Sequence, residues 1–339
     1  MTKRLLLAFL LSYSVCIGNI SAEEKSENKV NYIPEVHGVV RGRFEASTTE
    51  SDHYRFQVRN ARLNIGGKIA SFADYYVQAD FCDRGQIKFL DAWARVWVTK
   101  EIGFQAGQFR MPFGVDPFKG PATYYFANRS FVGKQMCNYR AVGAKAMWKP
   151  SKLPITVEVG AFNPGTIGDH TPWRNTVTFA SKLTAKVDNV TFATGFQSIK
   201  PDAVRANLID AAVTWSTGRW LVEGEYMYKH YVNDRHKPAH AYNIYANYAM
   251  PIKAGFFNQL SFQGRFDGLT DHSTAVGEDL ITDHPTRNRI TIGSTISYVR
   301  SKNMHLDIRL NYENYFYKNG HTPSVDNDDK ITAEIVLSF

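Results

Sequence analysis

The side chains of this protein best suited to chemistry are arginines and lysines, and they crowd into one third of the chain. In FQVRNARLNIGGK, residues 56 to 68, Arg59 and Arg62 straddle a change of parity. Phe56 and Val58 put the apolar side on even numbers, whereas Ala61, Leu63 and Ile65 put it on odd numbers. Arg95, Arg110, Lys119, Arg129, Lys134, Arg140 and Lys145 follow. Guanidinium groups stay charged at any working pH, are weakly hydrated, and match the oxygens of phosphate and carboxylate with a planar fork. Several of them facing one space raise the local anion concentration and select anions. The competing use is structural: pairing with Asp74, Asp80 and Asp91 to stiffen a wall. Residues 53 to 149 hold fifteen Lys or Arg against six Asp or Glu, a net of +9. Full pairing inside that segment is therefore impossible.

Catalytic chemistry has little to stand on. The chain contains no G-x-S-x-G, H-E-x-x-H or C-x-x-C pattern. His230, His236 and His240 fall in one expected loop, but Pro238 breaks the helical spacing of a paired ligand site. No catalytic residue, metal or cofactor is expected, and no nucleic-acid partner.

The elements that must carry the basic residues alternate with a period of two. Leu90, Ala92, Ala94, Val96 and Val98 oppose Asp91, Trp93, Arg95 and Trp97; Leu260, Phe262 and Phe266 oppose Ser261, Gln263, Arg265 and Asp267; Met304, Leu306, Ile308 and Leu310 oppose His305, Asp307, Arg309 and Asn311. Sixteen such segments run from 35–45 to 329–339, each about as long as a tilted strand that crosses a bilayer. Short connections (TKE, PSKL, DN, STG, RSK) alternate with long ones. Outer-membrane barrels have short periplasmic turns and long outside loops, and sixteen strands return the chain to the side on which it started. The expected fold is an all-β transmembrane antiparallel barrel of about 16 strands. A β-sandwich would not keep a charged face through so many segments, and no fixed short repeat marks a solenoid.

Residues 1 to 22 read as a secretory signal peptide: Lys3 and Arg4, an apolar run from Leu5 to Gly18, then Ser21 and Ala22. That run is too short to span a bilayer. Its removal takes Cys16 and leaves Cys82 and Cys137, which an exported chain is free to pair. Residues 23–34 are expected to form a periplasmic segment and 35–339 the barrel, with no transmembrane helix.

The stretches DYYVQADF, LDAWARVWV and GQFRMPFG, together with the opening one, resemble the phosphate-selective porin O and P family from Phe56 to about Tyr139. That family has an Arg-rich second strand, a strand opening in Leu-Asp-Ala, and a Gly-Gln-Phe-basic-x-Pro-Phe-Gly signature at the mouth of a long third loop. The resemblance implies a sixteen-stranded, trimeric channel in the outer membrane of a Gram-negative bacterium, whose third outside loop folds into the lumen. Here that loop is Met111 to Asn138. Pro112, Pro117 and Pro121 forbid ladder pairing in it, and Phe113, Phe118, Tyr124, Tyr125, Phe126 and Phe131 make it too apolar to wave in water. It would bring Lys119, Arg129 and Lys134 with it.

Strand parity points Arg62, Arg95 and Lys145 to the pore and Leu63 and Ile65 to lipid. The change near Arg59 would mark a β-bulge or the outer rim. Arg110 and Arg140 flank the loop, with either facing open. The functional expectation is an outer-membrane porin that prefers small anions, phosphate among them. A general diffusion porin is the runner-up, and an outer-membrane hydrolase a distant third.

Overall fold

The computed structural model describes residues 30–50, 53–83, 85–136, 140–164, 173, 175–200, 204–234, 236–270, 285–301, 303–318 and 324–339. The expected signal peptide (residues 1–22), residues 23–29 and Cys137 lie outside them, and with Cys137 the question of its pairing with Cys82. The described chain forms sixteen strands: β1 (Glu35–Ser47), β2 (Tyr54–Ala70), β3 (Ala73–Asp83), β4 (Gln86–Trp97), β5 (Ile102–Arg110), β6 (Arg140–Trp148), β7 (Ile155–Phe162), β8 (Thr178–Val187), β9 (Val190–Ile199), β10 (Ala206–Thr217), β11 (Trp220–Tyr231), β12 (Ala239–Ala254), β13 (Phe257–Leu269), β14 (Arg287–Ser301), β15 (Met304–Tyr317) and β16 (Lys330–Ser338). Each is antiparallel to its neighbours in sequence, and β16 pairs back onto β1 from Val39↔Ser338 to Ser47↔Lys330, closing a barrel. Closure satisfies every strand edge internally, the condition for crossing lipid with strands.

The terminal residue completes that seam. Gly38 and Phe339 exchange backbone hydrogen bonds of 2.9 and 3.1 Å. The Phe339 ring occupies the space beside Gly38, where a Cβ would come within 2.3 Å of it.

Polarity is inverted relative to a soluble domain. On β16, Ile331, Ile335 and Leu337 are exposed on the outside while Lys330, Thr332 and Glu334 are buried within; on β13, Phe262 and Phe266 are outside and Gln263, Arg265 and Asp267 inside. Among the described residues no helix is long and apolar enough to cross a membrane. The strands do so, with an apolar face to lipid.

Two bulges shape the wall beside β5. The β1–β2 register passes from Arg41↔Asn60 to Gly42↔Val58 and skips Arg59. Phe56 and Val58 therefore face out before the skip and Ile65 after it, while Arg59, Asn60 and Arg62 all line the interior. The parity change in the sequence is this bulge. On β4, Leu90 is skipped between Gln78↔Asp91 and Ala79↔Phe89, and the Gln108 amide donates to the Phe89 and Leu90 carbonyls at 2.9 Å each.

The segment between β5 and β6 packs against the inward side of distant strands. Phe113, Phe131, Val132 and Met136 form one apolar cluster with Ile199, Leu208, Met227, Tyr231 and Leu269. Tyr124 and Phe126 form another with Tyr245 of β12. The driest parts of the molecule are thus where this segment meets the wall.

Gly107, at the start of the Gly-Gln-Phe signature, has φ +129°, and a Cβ there would come within 2.1 Å of the Ala92 carbonyl oxygen. Gly264 has open space where its Cβ would stand. Gly107→Val should therefore destabilise the folded barrel by well over about 1 kcal/mol, and Gly264→Ala should change it by no more than about 0.5 kcal/mol. Urea unfolding in detergent, read by the difference in gel mobility between unboiled and boiled protein, compares the two.

Candidate functional site

The interior is built from two contrasting walls. On the β13–β1 side, acids and bases settle one another's charge. Glu334 takes Arg41 at 2.7 Å, Arg43 at 2.8 Å and Arg309 at 3.0 Å. Asp267 and Glu313 share Arg289 at 2.8 and 3.3 Å. Buried charges persist only when so compensated.

The remaining guanidinium donors hold the β5–β6 segment by its main chain. Arg41 and Arg43 both donate to the Ala127 carbonyl at 2.7 Å, Arg265 to that of Asn128 at 2.8 Å, and Arg289 to that of Arg129 at 2.7 Å. In the other direction, the Ala127 amide donates to Asn311 at 2.6 Å and the Phe131 amide to Asp267 at 2.9 Å. The Val115 and Asp116 amides both reach Glu225, at 2.5 and 2.9 Å.

Inside the segment, buried Asp116 accepts from the Tyr124 hydroxyl and the Ser130 hydroxyl, both at 2.9 Å. Lys119 pairs with Glu223 and donates to the Tyr245 hydroxyl at 2.9 Å. Burial opposes the Lys119 charge, but the Asp116 and Glu223 carboxylates outweigh it and hold its pKa above the ordinary value. Arg129 donates to the carbonyls of Asp116 and Lys119 at 3.1 and 2.5 Å, with its guanidinium over the Tyr124 ring.

Two cavities, of about 570 and 470 Å³, flank this segment. They share five lining residues: Arg62, Arg110 and Arg140 from the wall, and Gly120 and Pro121 from the segment. This shared neck is the candidate site. Among the described residues, the lining of the smaller cavity includes twelve Lys or Arg and three Asp or Glu. That of the larger includes six Lys or Arg and Asp91.

In the neck, Arg110 and Arg140 are direct cross-strand partners, a like-charge pairing that costs stability in a sheet. Arg140 is gripped by both oxygens of Asp91 at 2.9 and 3.1 Å, and Arg62 by Asp80 at 3.0 and 3.2 Å. Arg110 has no acidic partner among the described residues, and its buried Nη1 has no hydrogen bond. Among the described residues Arg129 likewise meets only carbonyl oxygens and a ring.

All nine basic residues singled out in the sequence line one cavity or the other, and both residues of open facing, Arg110 and Arg140, face inward. Besides the pairs already given, Arg59 reaches Asp83 at 2.5 Å, Arg95 reaches Asp74 at 2.8 Å and Lys145 reaches Glu158 at 2.6 Å. Arg95–Asp74, Arg62–Asp80 and Arg140–Asp91 are the wall-stiffening pairs the sequence suggested. The structural use of the arginines is realised in these three pairs.

Sequence reasoning missed Arg41, Arg43, Arg55, Lys88, Arg289 and Lys330, which line the smaller cavity. Their signal was period-two spacing within strands already recognised, as in Arg41, Arg43 and Glu45. A regional charge sum hid it, because acids and bases there face the same way. Of the histidines, His240 bonds the Tyr226 hydroxyl at 2.7 Å and His236 packs edge-on to Tyr231. Among the described residues no group of side chains could hold a metal ion.

A closed sixteen-stranded barrel, apolar outside, charged inside and crossed by one of its own connections, defines an outer-membrane porin. The sequence profile of the phosphate-selective porin O and P family matches residues 37–263, and the chain belongs to that family. No curated protein sequence matches it. Among solved structures it resembles an anion-selective porin from Comamonas acidovorans (TM-score 0.64, 12% identity, 91% of this chain and 99% of that one). It also resembles the outer membrane channel DcaP of Acinetobacter baumannii (0.61, 11%, 90% and 97%). A third is OmpT of Vibrio cholerae in its trimer form (0.60, 11%, 91% and 99%). At such identities the likeness is one of fold.

Glu334 is the acid on which three guanidiniums depend. Glu334→Gln should lower barrel stability in urea unfolding by roughly 3 kcal/mol, the usual cost of stranding buried charge, whereas Lys152→Gln in an exposed turn should change it by no more than about 0.5 kcal/mol.

Proposed function

We propose that this porin passes small anions in preference to cations, phosphate among them, and that selection occurs at the neck. The observation that carries the reading is Arg110: a buried guanidinium opposite Arg140 and without an acid of its own. Such a charge, in a narrow and poorly screened place, sets up a positive potential that concentrates anions. Paired Arg62 and Arg140 supply rigid forks around it, and Arg129 and Lys134 extend the positive surface into the smaller cavity. Arg59, Arg95, Lys119 and Lys145 act as approach charges, each discounted by its acid.

The wider organisation belongs to the same proposal. Residues 1–22 are a removed leader, 23–34 lie in the periplasm, 35–339 form the barrel, and 111–138 form the constriction, entered from outside the cell. The apolar outer face meets outer-membrane lipid on part of its circumference and two further copies of the chain on the rest. The trimer form recorded for Vibrio cholerae OmpT supports that stoichiometry. The protein is a channel and not an enzyme; turnover of peptide or ester substrates by purified protein would overturn that.

Planar-bilayer reversal potentials in a salt gradient test the anion reading. Wild type should favour anions, and less so as ionic strength rises and screening shortens. Arg110→Gln should cut the anion-to-cation permeability ratio by roughly twofold or more, and Lys152→Gln in the exposed β6–β7 turn should leave it unchanged. Asp91→Asn should raise the ratio, because it frees Arg140; arginines serving only to stiffen the wall would give no such rise. Cation preference in the wild type would leave a general diffusion pore.

A further inference from the structure

The larger cavity carries a feature that inorganic anions do not need. Tyr76 of β3 and Trp93 of β4 are cross-strand partners whose rings stack at 5.5 Å with 19° between planes, and both line the cavity. A glycine stands on each side of the pair, Gly66 opposite Tyr76 and Gly107 opposite Trp93. A Cβ on Gly66 would come within 3.2 Å of the Tyr76 ring, and one on Gly107 within 2.7 Å of the Trp93 backbone. The missing side chains leave room for the two rings to stack against each other along the cavity wall. The Trp93 indole N–H makes no hydrogen bond among the described residues.

From the other side of the cavity comes Phe118 of the β5–β6 segment, 41% exposed. The other large apolar residues left exposed on the strands point outward to lipid, whereas this one is turned into the water of the channel. The Arg95 guanidinium lies between Trp93 and Trp97, 5.0 and 5.5 Å from their ring centres.

The neck arginines are near enough to act on the same molecule. Gly107, beside Trp93, and Arg110 are three residues apart on β5, about 10 Å at the rise of a strand, and arginine side chains span part of that. A flat apolar ring binds an aromatic face by offset stacking, and a carboxylate or phosphate binds a guanidinium fork.

We propose that the larger cavity is a subsite for anions carrying a planar ring, the ring packed against the Tyr76–Trp93 stack and the anionic group turned to Arg110 and Arg140. The proposal rests on the anion preference and deepens it: the preferred solutes are aromatic carboxylates and ring-bearing phosphates, above acetate or inorganic phosphate. The plainer role for the rings is to cover the glycines beside them, which would give no preference for a ring in solution.

The experiment measures block of chloride current through single channels by benzoate, acetate and inorganic phosphate. In wild type, benzoate should halve the current at a concentration about fivefold or more below that needed for acetate, as expected for one good stacking contact. A Tyr76→Leu, Trp93→Leu double variant keeps apolar cover over the glycines but removes the aromatic stack. It should bring benzoate and acetate within about twofold of each other and leave phosphate block as it was. Equal block by benzoate and acetate in an anion-preferring wild type overturns the ring subsite and leaves the anion channel standing. Cation preference in the wild type overturns the anion reading itself. A benzoate advantage that survives in the variant overturns the assignment to these rings. If the variant does not insert, the wild-type ratio decides alone, with Phe118→Ser as the second variant, expected to reduce the benzoate advantage.

Discussion

The interior of this porin depends on one arrangement: arginines on the barrel wall that spend their charge on neighbouring acids and their remaining donors on the backbone of the segment between β5 and β6. A polypeptide segment inside a channel must satisfy its carbonyls and amides without a sheet to join. Arg41, Arg43, Arg265 and Arg289 take the carbonyls of Ala127, Asn128 and Arg129, and Glu225, Asn311 and Asp267 take amides. Hydrogen bonds from charged donors are stronger than neutral ones, and here they are sheltered from bulk water. Apolar contacts at Phe113, Phe126 and Phe131 add the non-directional part of the attachment.

Because the fastening wall needs its acids, the two sides of the interior differ in electrostatics. Glu334, Asp267 and Glu313 neutralise the guanidiniums that hold the segment in place. Across the lumen, β2 to β6 carry fewer acids than bases, and Arg110 is left opposite Arg140. A barrel charged evenly all round would either repel its own loop or lose its field. The fastening wall is charge-balanced, whereas the β2–β6 wall keeps a surplus of bases beside its own ion pairs.

The wall from β2 to β5 is also where the regular ladder is interrupted. The bulges at Arg59 and Leu90 add residues to the inward face, which is how two successive basic or polar side chains come to point the same way. Gln108 repairs the second bulge by donating to the carbonyls it exposes, and Gly107 beside it allows the close approach of β4. The Gly-Gln-Phe signature thus has a mechanical origin next to the neck.

Most of the architecture was legible in the chain itself, because inside–outside alternation is a local property with a period of two residues. It places all sixteen strands with small boundary shifts, such as 240–250 lengthening to Ala239–Ala254, and the parity slip at Arg59 already announces a bulge. It also identifies nine of the fifteen basic residues that line the two cavities. The partner of each depends on register between strands far apart in sequence, which no local pattern encodes. Arg41 and Glu334 lie 293 residues apart and meet only because β16 closes on β1. For the same reason the sequence could not tell Arg62, held by Asp80, from Arg110, held by no acid. Parity showed that each base shares a wall with acids; only the closed barrel, with its loop packed inside, decided which charges were spent.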